Sequence, residues 1–174
     1  MCNTVKLANL AQMVNALGMI HADESGMVLT PLYHAFDLYA NHTGSTVFDA
    51  FTLSDTYDTH DQGGPRGLGP LTGVPYIDAS ATLREEGGSR TLCLAVVNRH
   101  RDEPIECRIR LDGFAVGDSA AVFELTGDNP NARNTLSELQ AVTVRTRRPV
   151  RSSTDFVHSF APCSATVLEI PLTR

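Results

Sequence analysis

The chain has 174 residues, of which 42% are hydrophobic and 20% charged, and this composition is ordinary for a folded protein with one sizeable core. Its net charge of −6 argues against a general nucleic-acid or anionic-membrane binder, because both need clustered lysine and arginine. The basic run RTRRPVR at 145–151 contains Pro149, and we interpret it as a solvated loop or an edge strand. No basic region precedes the opening apolar run and no stretch approaches 18 apolar residues, so we expect a cytoplasmic protein without a membrane span.

The opening segment, residues 1–43, is predicted to contain one strand and one helix. VKLANLAQ at 5–12 is apolar on both faces, which is typical of a buried parallel strand. A loop containing HADESG follows, and TPLYHAFDLYANH then reads as a helix with Thr30 as its N-cap and Pro31 in its first position. One strand and one helix make half of a βαβ unit, so we expect this segment to depend on a larger structure.

From Gly44 onward the hydrophobic period changes to two, which indicates β-strands. We predict strands at 76–83, 91–97, 105–111, 119–125, 141–146, 154–160 and 165–170. The run 91–97 is apolar on both faces and is predicted to be a central strand, whereas IECRIRL at 105–111 alternates cleanly. Residues 44–174 are therefore predicted to form an antiparallel β-sandwich. The Gly- and Pro-rich stretch 55–75 is predicted to be a mobile loop or a functional flap.

The cysteines, histidines and aromatic residues match no known pattern of a catalytic or metal site. The four cysteines lack metal-ligand spacing, and the sequence leaves open whether Cys93 and Cys107 form a disulfide. His34 and His42 share the predicted helix but are eight residues apart, so they cannot chelate a metal as an i, i+4 pair, and we expect no metal site. Tyr57, Tyr76 and Phe114 are candidates for a sugar-stacking platform or, more simply, for packing. 

Three runs of sequence, in this order, carry a resemblance to a known family. The first is VKLANLAQMVNALGMI followed by LTPLYHAFDLYANHTG, the second is VPYIDASATL leading to LCLAVVNRH, and the third is FELTGDNPNARNT followed by APCSATVLEIPL. Together they resemble the C-terminal part of the family 51 glycoside hydrolases, the α-L-arabinofuranosidases. The resemblance covers nearly the whole chain.

The resemblance implies a (β/α)8 catalytic barrel upstream and a jelly-roll sandwich at the C-terminus. On that view residues 5–12 look like the eighth barrel strand, residues 31–41 look like the eighth helix, and the sandwich starts near residue 44. The family hydrolyses arabinofuranosides with retention, without a cofactor, and uses two glutamates on earlier barrel strands. The acidic residues of this chain match no catalytic motif and are expected to be solvated (Asp55, Asp58, Asp61, Glu85 and Glu86). We therefore expect the chain to be inactive by itself.

Gln12 is the one site residue that the resemblance suggests. It stands in the Ala-Gln pair at the end of the predicted barrel strand, where the family's glutamine hydrogen-bonds bound arabinose. An amide can both donate to and accept from sugar hydroxyls, although the same side chain could simply satisfy backbone groups. The partners implied are arabinofuranosyl-containing oligosaccharides, the missing barrel and further copies of the chain. The alternatives are a stand-alone carbohydrate-binding or oligomerisation sandwich, and 6% aromatics without tryptophan count against carbohydrate binding.

Overall fold

A computed structural model describes residues 9–10, 12–60 and 69–173. Twelve strands and one helix occur in these ranges. They are β1 (Ile20–Asp23), β2 (Gly26–Leu29), α1 (Pro31–His42), β3 (Thr46–Phe48), β4 (Thr56–Tyr57), β5 (Val74–Pro75), β6 (Ile77–Glu86), β7 (Ser89–Asn98), β8 (Ile105–Arg110), β9 (Ser119–Thr126), β10 (Thr143–Arg151), β11 (Asp155–Phe160) and β12 (Ser164–Pro171). Within the described residues, no helix is long and apolar enough to cross a membrane.

The elements form three layers, of which the middle one is a central sheet. This sheet has six antiparallel strands in the order β10-β9-β12-β7-β6-β3. The two-stranded sheet β8–β11 packs against one face, here called the inner face, and helix α1 packs against the other, the outer face. The fold is therefore a mainly antiparallel β-sandwich, as the sequence predicts. The packing of α1 on the outside of this sandwich was not predicted.

The inner face carries the larger of two hydrophobic cores. Side chains alternate along a strand, so Leu92, Leu94 and Val96 of β7 point to the inner face with Leu168 and Ile170 of β12. Strand β8 supplies alternate residues to the same core, as the IECRIRL pattern predicts, and β11 adds the fully buried Phe160.

The outer face carries a second core, which α1 closes. Leu38 of the helix is fully buried and packs with the intervening residues of the central strands, such as Cys93 of β7 and Val167 of β12. The helix begins at Pro31 as predicted, and Thr30 occupies the N-cap position. Its hydroxyl, however, donates to the carbonyl of Gly18 at 3.0 Å and makes no capping hydrogen bond. Thr30 therefore ties the helix to the preceding loop.

The opening segment differs from the prediction at two places. The stretch HADESG, expected to be a loop, supplies most of the β-hairpin β1–β2, in which Asp23 pairs with Gly26 across the turn. Of the predicted strand at 5–12, residues 5–8 and 11 lie outside the described residues. Asn9, Leu10 and Gln12 are exposed and lie outside regular secondary structure, so the prediction of a buried strand is wrong for these three residues.

The stretch 55–75 contains two short strands that the prediction lacks. Strands β4 and β5 pair at its base, and residues 61–68 between them lie outside the described residues. The run 145–151 belongs to β10, an edge strand of the central sheet, as one of the two interpretations predicted. Its pairing shifts between Arg147 and Val150, so Pro149 lies at an irregularity where the ladder needs no N–H donor.

Replacing Leu38 by alanine tests whether the helix is part of the sandwich core. We expect Leu38→Ala to lower the free energy of unfolding by about 2–5 kcal/mol, because it opens a cavity between α1 and the central sheet. Urea unfolding followed by circular dichroism measures the change. Phe36→Ala on the same helix is the control, since Phe36 is half exposed. An equal loss in both variants would contradict this packing.

Candidate functional site

Gln12 lies exposed at the start of a loop that folds back onto the β1–β2 hairpin. The carbonyl of the next residue, Met13, accepts a hydrogen bond from the Ile20 N–H at 3.0 Å, and the Asn15 N–H donates to the Ile20 carbonyl at 2.7 Å. The Asn15 side-chain oxygen also accepts from the Ala22 N–H at 2.8 Å. The backbone after Gln12 is thus held against the hairpin, and Gln12 itself is exposed.

The acidic residues that were expected to be solvated are exposed or make structural contacts, where the structure describes them. Glu85 pairs with Arg90 at 3.2 Å across the β6–β7 turn, and both side chains are largely exposed. Asp58 accepts a hydrogen bond from the Gly73 N–H at 2.9 Å, which closes the base of the 55–75 stretch. Asp55 and Glu86 are exposed, and Asp61 lies outside the described residues. No cluster of three or more His, Cys, Asp or Glu side chains that could hold a metal occurs in the described ranges.

The cysteines that the structure describes are free thiols. Cys93 packs in the outer core beneath α1, whereas Cys107 lies on β8 and packs against the inner core. The disulfide left open by the sequence is therefore not formed. Burial raises the pKa of both thiols, so both are poor nucleophiles and behave as small apolar side chains.

The three aromatic residues considered as a platform do not form one. The rings of Tyr57 and Tyr76 contact each other at a tilt of 33° with centroids 4.8 Å apart, and Tyr76 also contacts His100 at 4.7 Å. Phe114 instead packs edge-to-face against Phe48 at 5.3 Å, beside the inner core. The two tyrosine rings therefore contact each other beside the β4–β5 ladder, apart from Phe114.

A cleft of about 370 Å³ lies where α1 begins, between the ends of β7, β9 and β12. Its lining is mostly apolar, with Pro31, Leu125 and Val142 among the side chains. The buried Asn98 also borders it, but its amide nitrogen donates to the carbonyls of Phe160, Ala161 and Glu103, and its oxygen accepts from the His100 N–H. Asn98 therefore closes a turn, and its polar atoms are already engaged.

The strongest polar constellation joins the C-terminal end of α1 to the central sheet. Glu169 of β12 accepts hydrogen bonds from both arms of the Arg84 guanidinium, at 2.9 and 2.6 Å, and contacts the His42 ring nitrogen at 2.8 Å. Arg84 also donates to the carbonyl of Asn41 near the helix end at 3.1 Å, and the His42 ring stacks on Phe123 at 3.7 Å. We call the set His42, Arg84 and Glu169 the helix latch.

The latch is partly buried, and its electrostatics favour the ionised carboxylate. Burial by itself would raise the pKa of Glu169, but the hydrogen bonds from Arg84 and His42 outweigh it, so the pKa lies below its ordinary value. The same pairing raises the pKa of Arg84. At the N-terminal half of the helix, burial lowers the pKa of His34, which contacts the Thr143 hydroxyl at 3.4 Å.

Sequence reasoning did not find the helix latch, because its members lie on three separate elements. One signal was available in the run SATVLEIP, where Glu169 is the one charged residue of a strand that is otherwise largely apolar. A carboxylate in that setting needs a cationic partner, since an unpaired buried charge is strongly unfavourable. The identity of that partner could not be read from the sequence.

The sandwich with an attached helix defines the chain as an antiparallel β-sandwich domain. It matches the crystal structure of the α-L-arabinofuranosidase from Thermotoga maritima in complex with arabinose, with a TM-score of 0.89 and 36% sequence identity over 98% of this chain and 35% of that one. The family profile of the α-L-arabinofuranosidase C-terminal domain matches residues 1–164. The chain therefore belongs to the α-L-arabinofuranosidase C-terminal domain family.

Two curated relatives show the same partial coverage. α-L-Arabinofuranosidase C from Emericella nidulans is 28% identical over 145 residues, which are 82% of this chain and 27% of the relative. The intracellular exo-α-L-arabinofuranosidase of Bacteroides ovatus is 28% identical over 130 residues, 72% of this chain and 23% of the relative. The chain thus spans about a quarter of the length of these relatives.

The helix latch predicts a specific dependence of stability on pH. At pH 7 we expect Glu169→Gln to lower the free energy of unfolding by about 1.5–3 kcal/mol, because charge-assisted hydrogen bonds are lost. The pKa of Glu169 is lower in the folded than in the unfolded chain, so its contribution is complete above the ordinary value of 4.5. It is lost as the pH falls through the folded-state value.

Urea unfolding of wild type and variant between pH 7 and pH 3 measures this difference, which should shrink below about pH 4.5. Glu85→Gln is the matched control, because Glu85 forms an exposed pair that is worth at most about 1 kcal/mol. A Glu169→Gln effect that stays constant down to pH 3 would show that the latch does not act through the carboxylate charge.

Proposed function

We propose that this chain is the C-terminal portion of a retaining α-L-arabinofuranosidase, which releases terminal arabinofuranose from arabinan- or arabinoxylan-type chains. The catalytic glutamates belong to a (β/α)8 barrel outside this chain, and residues 1–43 are its last β/α unit. Residues 44–174 are the sandwich that supports it. The family match over residues 1–164 is the observation that carries the proposal, and it agrees with the lack of a catalytic motif among the acidic residues.

The exposed apolar side chains of the opening segment support a docked barrel. Six of them lie on the loop, the hairpin and the helix, with exposed fractions from 38% to 86%: Met13, Val14, Leu17, Met27, Phe36 and Tyr39. We call this set the hairpin–helix surface. Full burial of such side chains contributes about 1.5–3 kcal/mol each, which is ample to hold a neighbouring domain. When the barrel is not present, we propose that a second copy of the chain covers the hairpin–helix surface.

Gln12 is proposed to contact the bound arabinose. It precedes the hairpin–helix surface directly, is exposed, and carries an amide that can donate one hydrogen bond and accept another from neighbouring sugar hydroxyls. In a (β/α)8 barrel the active site lies at the C-terminal ends of the strands, and Gln12 is the last residue of 5–12, the segment that resembles the eighth barrel strand.

The proposed location is the cytoplasm. The described thiols are reduced, which suits a reducing compartment, and the Bacteroides ovatus relative is an intracellular enzyme.

Because the catalytic glutamates are proposed to lie in the barrel, the activity of this chain can be predicted. This chain alone is expected to release no nitrophenol from p-nitrophenyl α-L-arabinofuranoside, whereas the polypeptide that includes the barrel is expected to hydrolyse it.

In the polypeptide that includes the barrel, Gln12→Ala should lower kcat/KM roughly 10- to 100-fold, since one or two hydrogen bonds to the sugar are lost. Gln140→Ala, at an exposed glutamine of the sandwich, is the control. Hydrolysis by this chain alone would refute the proposal.

The hairpin–helix surface gives a second prediction, on self-association. We expect the isolated chain to form dimers or larger species as its concentration rises in light scattering. Leu17→Asp should shift this equilibrium towards monomer, because Leu17 is 86% exposed and a charge there opposes burial. Leu53→Asp is the matched control, since Leu53 is equally exposed but outside this surface. A wild-type chain that stays monomeric at high concentration would contradict the prediction.

A further inference from the structure

The run FELTGDNPNARNT, which carries part of the family resemblance, covers the end of β9 and the start of a compact loop. This loop consists of residues 127–142 and connects β9 to β10. Gly127 has no room for a side chain, because a Cβ there would lie 2.7 Å from the Cβ of Ala132 and 2.9 Å from Cγ2 of Val142. Asn129 closes the turn: its carbonyl accepts from the Ala132 N–H, and its side-chain oxygen accepts from the Asn131 N–H. The loop is folded back on itself by these contacts.

Asn134 sits in this loop and uses both ends of its amide. Its Oδ1 accepts a hydrogen bond from the Val142 N–H at 2.8 Å, and its Nδ2 donates to the Val142 carbonyl at 2.8 Å. The same Nδ2 donates to the carbonyl of Leu29, the last residue of β2, at 2.9 Å. One side chain therefore joins the sandwich to the opening hairpin, across 105 residues of sequence.

A second contact supports the same junction. The Cδ2 atom of Leu136 lies 3.0 Å from the place that a Cβ on Gly26 would occupy, so this leucine packs over the turn of the β1–β2 hairpin. The loop 127–142 therefore touches the hairpin both at its turn and at the end of β2.

The hairpin in turn fixes the backbone beside Gln12. Leu29 pairs with Ile20 across the hairpin, and Ile20 makes hydrogen bonds with Met13 and Asn15. Met13 is bonded directly to Gln12. A short path of paired backbone groups thus runs from Asn134 through Leu29 and Ile20 to the residue adjoining Gln12.

We propose that Asn134 is a positioning residue for Gln12, and that through it the sandwich sets where the sugar-binding amide stands. This inference rests on the proposed function, in which Gln12 contacts arabinose. The side chain is chemically matched to the place, because only an amide of this length offers one acceptor to an N–H and two donors to carbonyls. An aspartate would direct a carboxylate at the Leu29 and Val142 carbonyl oxygens, which repel it.

A double-mutant cycle in the polypeptide that includes the barrel separates positioning from a general loss of stability. Asn134→Ala is expected to lower kcat/KM for p-nitrophenyl α-L-arabinofuranoside roughly tenfold, mainly through KM, because a displaced amide loses its geometry. In a Gln12→Ala background the same change should cost less than about twofold, since the residue it positions is already gone. Equal losses in both backgrounds, or no loss in either, would overturn the proposal.

Two controls complete the experiment. Asn131→Ala alters an exposed asparagine of the same loop and should leave kcat/KM unchanged in both backgrounds. In this chain alone, hydrogen exchange at the Ala22 and Thr30 amides should rise in Asn134→Ala but not in Asn131→Ala, and unchanged exchange would refute the junction itself. If Gln12→Ala retains full activity, the proposed function of Gln12 fails and the positioning role fails with it, whereas a change in exchange still reports on the junction.

Discussion

The central sheet must be covered on both faces, and the rest of the molecule follows from that constraint. Strands β7 and β12 present buried apolar side chains in both directions: Leu92 and Leu168 on the inner face, and Cys93 and Val167 on the outer face, all between 0% and 1% exposed. The pair β8–β11 covers the first set. Helix α1 covers the second, so the helix that the resemblance assigns to the barrel is also part of the sandwich core.

Polar contacts then fix the helix at both ends, where apolar packing alone leaves orientation loosely defined. At its C-terminal end the helix latch joins His42 to Glu169 and Arg84, and the carboxylate is shared by two cationic or hydrogen-bonding partners. Just before its N-terminal end, Asn134 holds Leu29, and Thr30 holds the preceding loop. Burial supplies most of the attachment energy, while these directional bonds select one arrangement among the many that burial would allow.

Sequence reasoning succeeded where hydrophobic periodicity extends over six or more residues. The long strands and α1 were predicted close to their observed bounds, since alternation and helical spacing report which face is buried. It failed for β1 to β5, which have two to four residues each and are too short to show a period. The stretch HADESG was predicted to be a loop, but most of it pairs as a hairpin, and the Met13–Ile20 and Gly18–Thr30 contacts hold that hairpin in place.

The candidate site was less accessible to prediction than the fold, for a physical reason. Gln12 came from the resemblance, and its role stays a prediction. The latch and the Asn134 junction depend on contacts between residues 85 to 127 positions apart, and the identity of such partners is set by strand order and register. The charged residue in β12 and the asparagine in the NARNT run were visible, but what they bind was not.

The distribution of polar and apolar surface indicates where a partner can associate. Both edges of the central sheet are poor places for strand addition: β3 has three residues, and β10 carries several exposed arginines and a pairing irregularity at Pro149. The hairpin–helix surface has the opposite character, with six exposed apolar side chains on elements that the latch and Asn134 hold in place. Because that surface is held in one arrangement, any partner that binds there loses little ordering entropy. The sandwich thereby holds the hairpin, the helix and the loop that follows Gln12 in one arrangement.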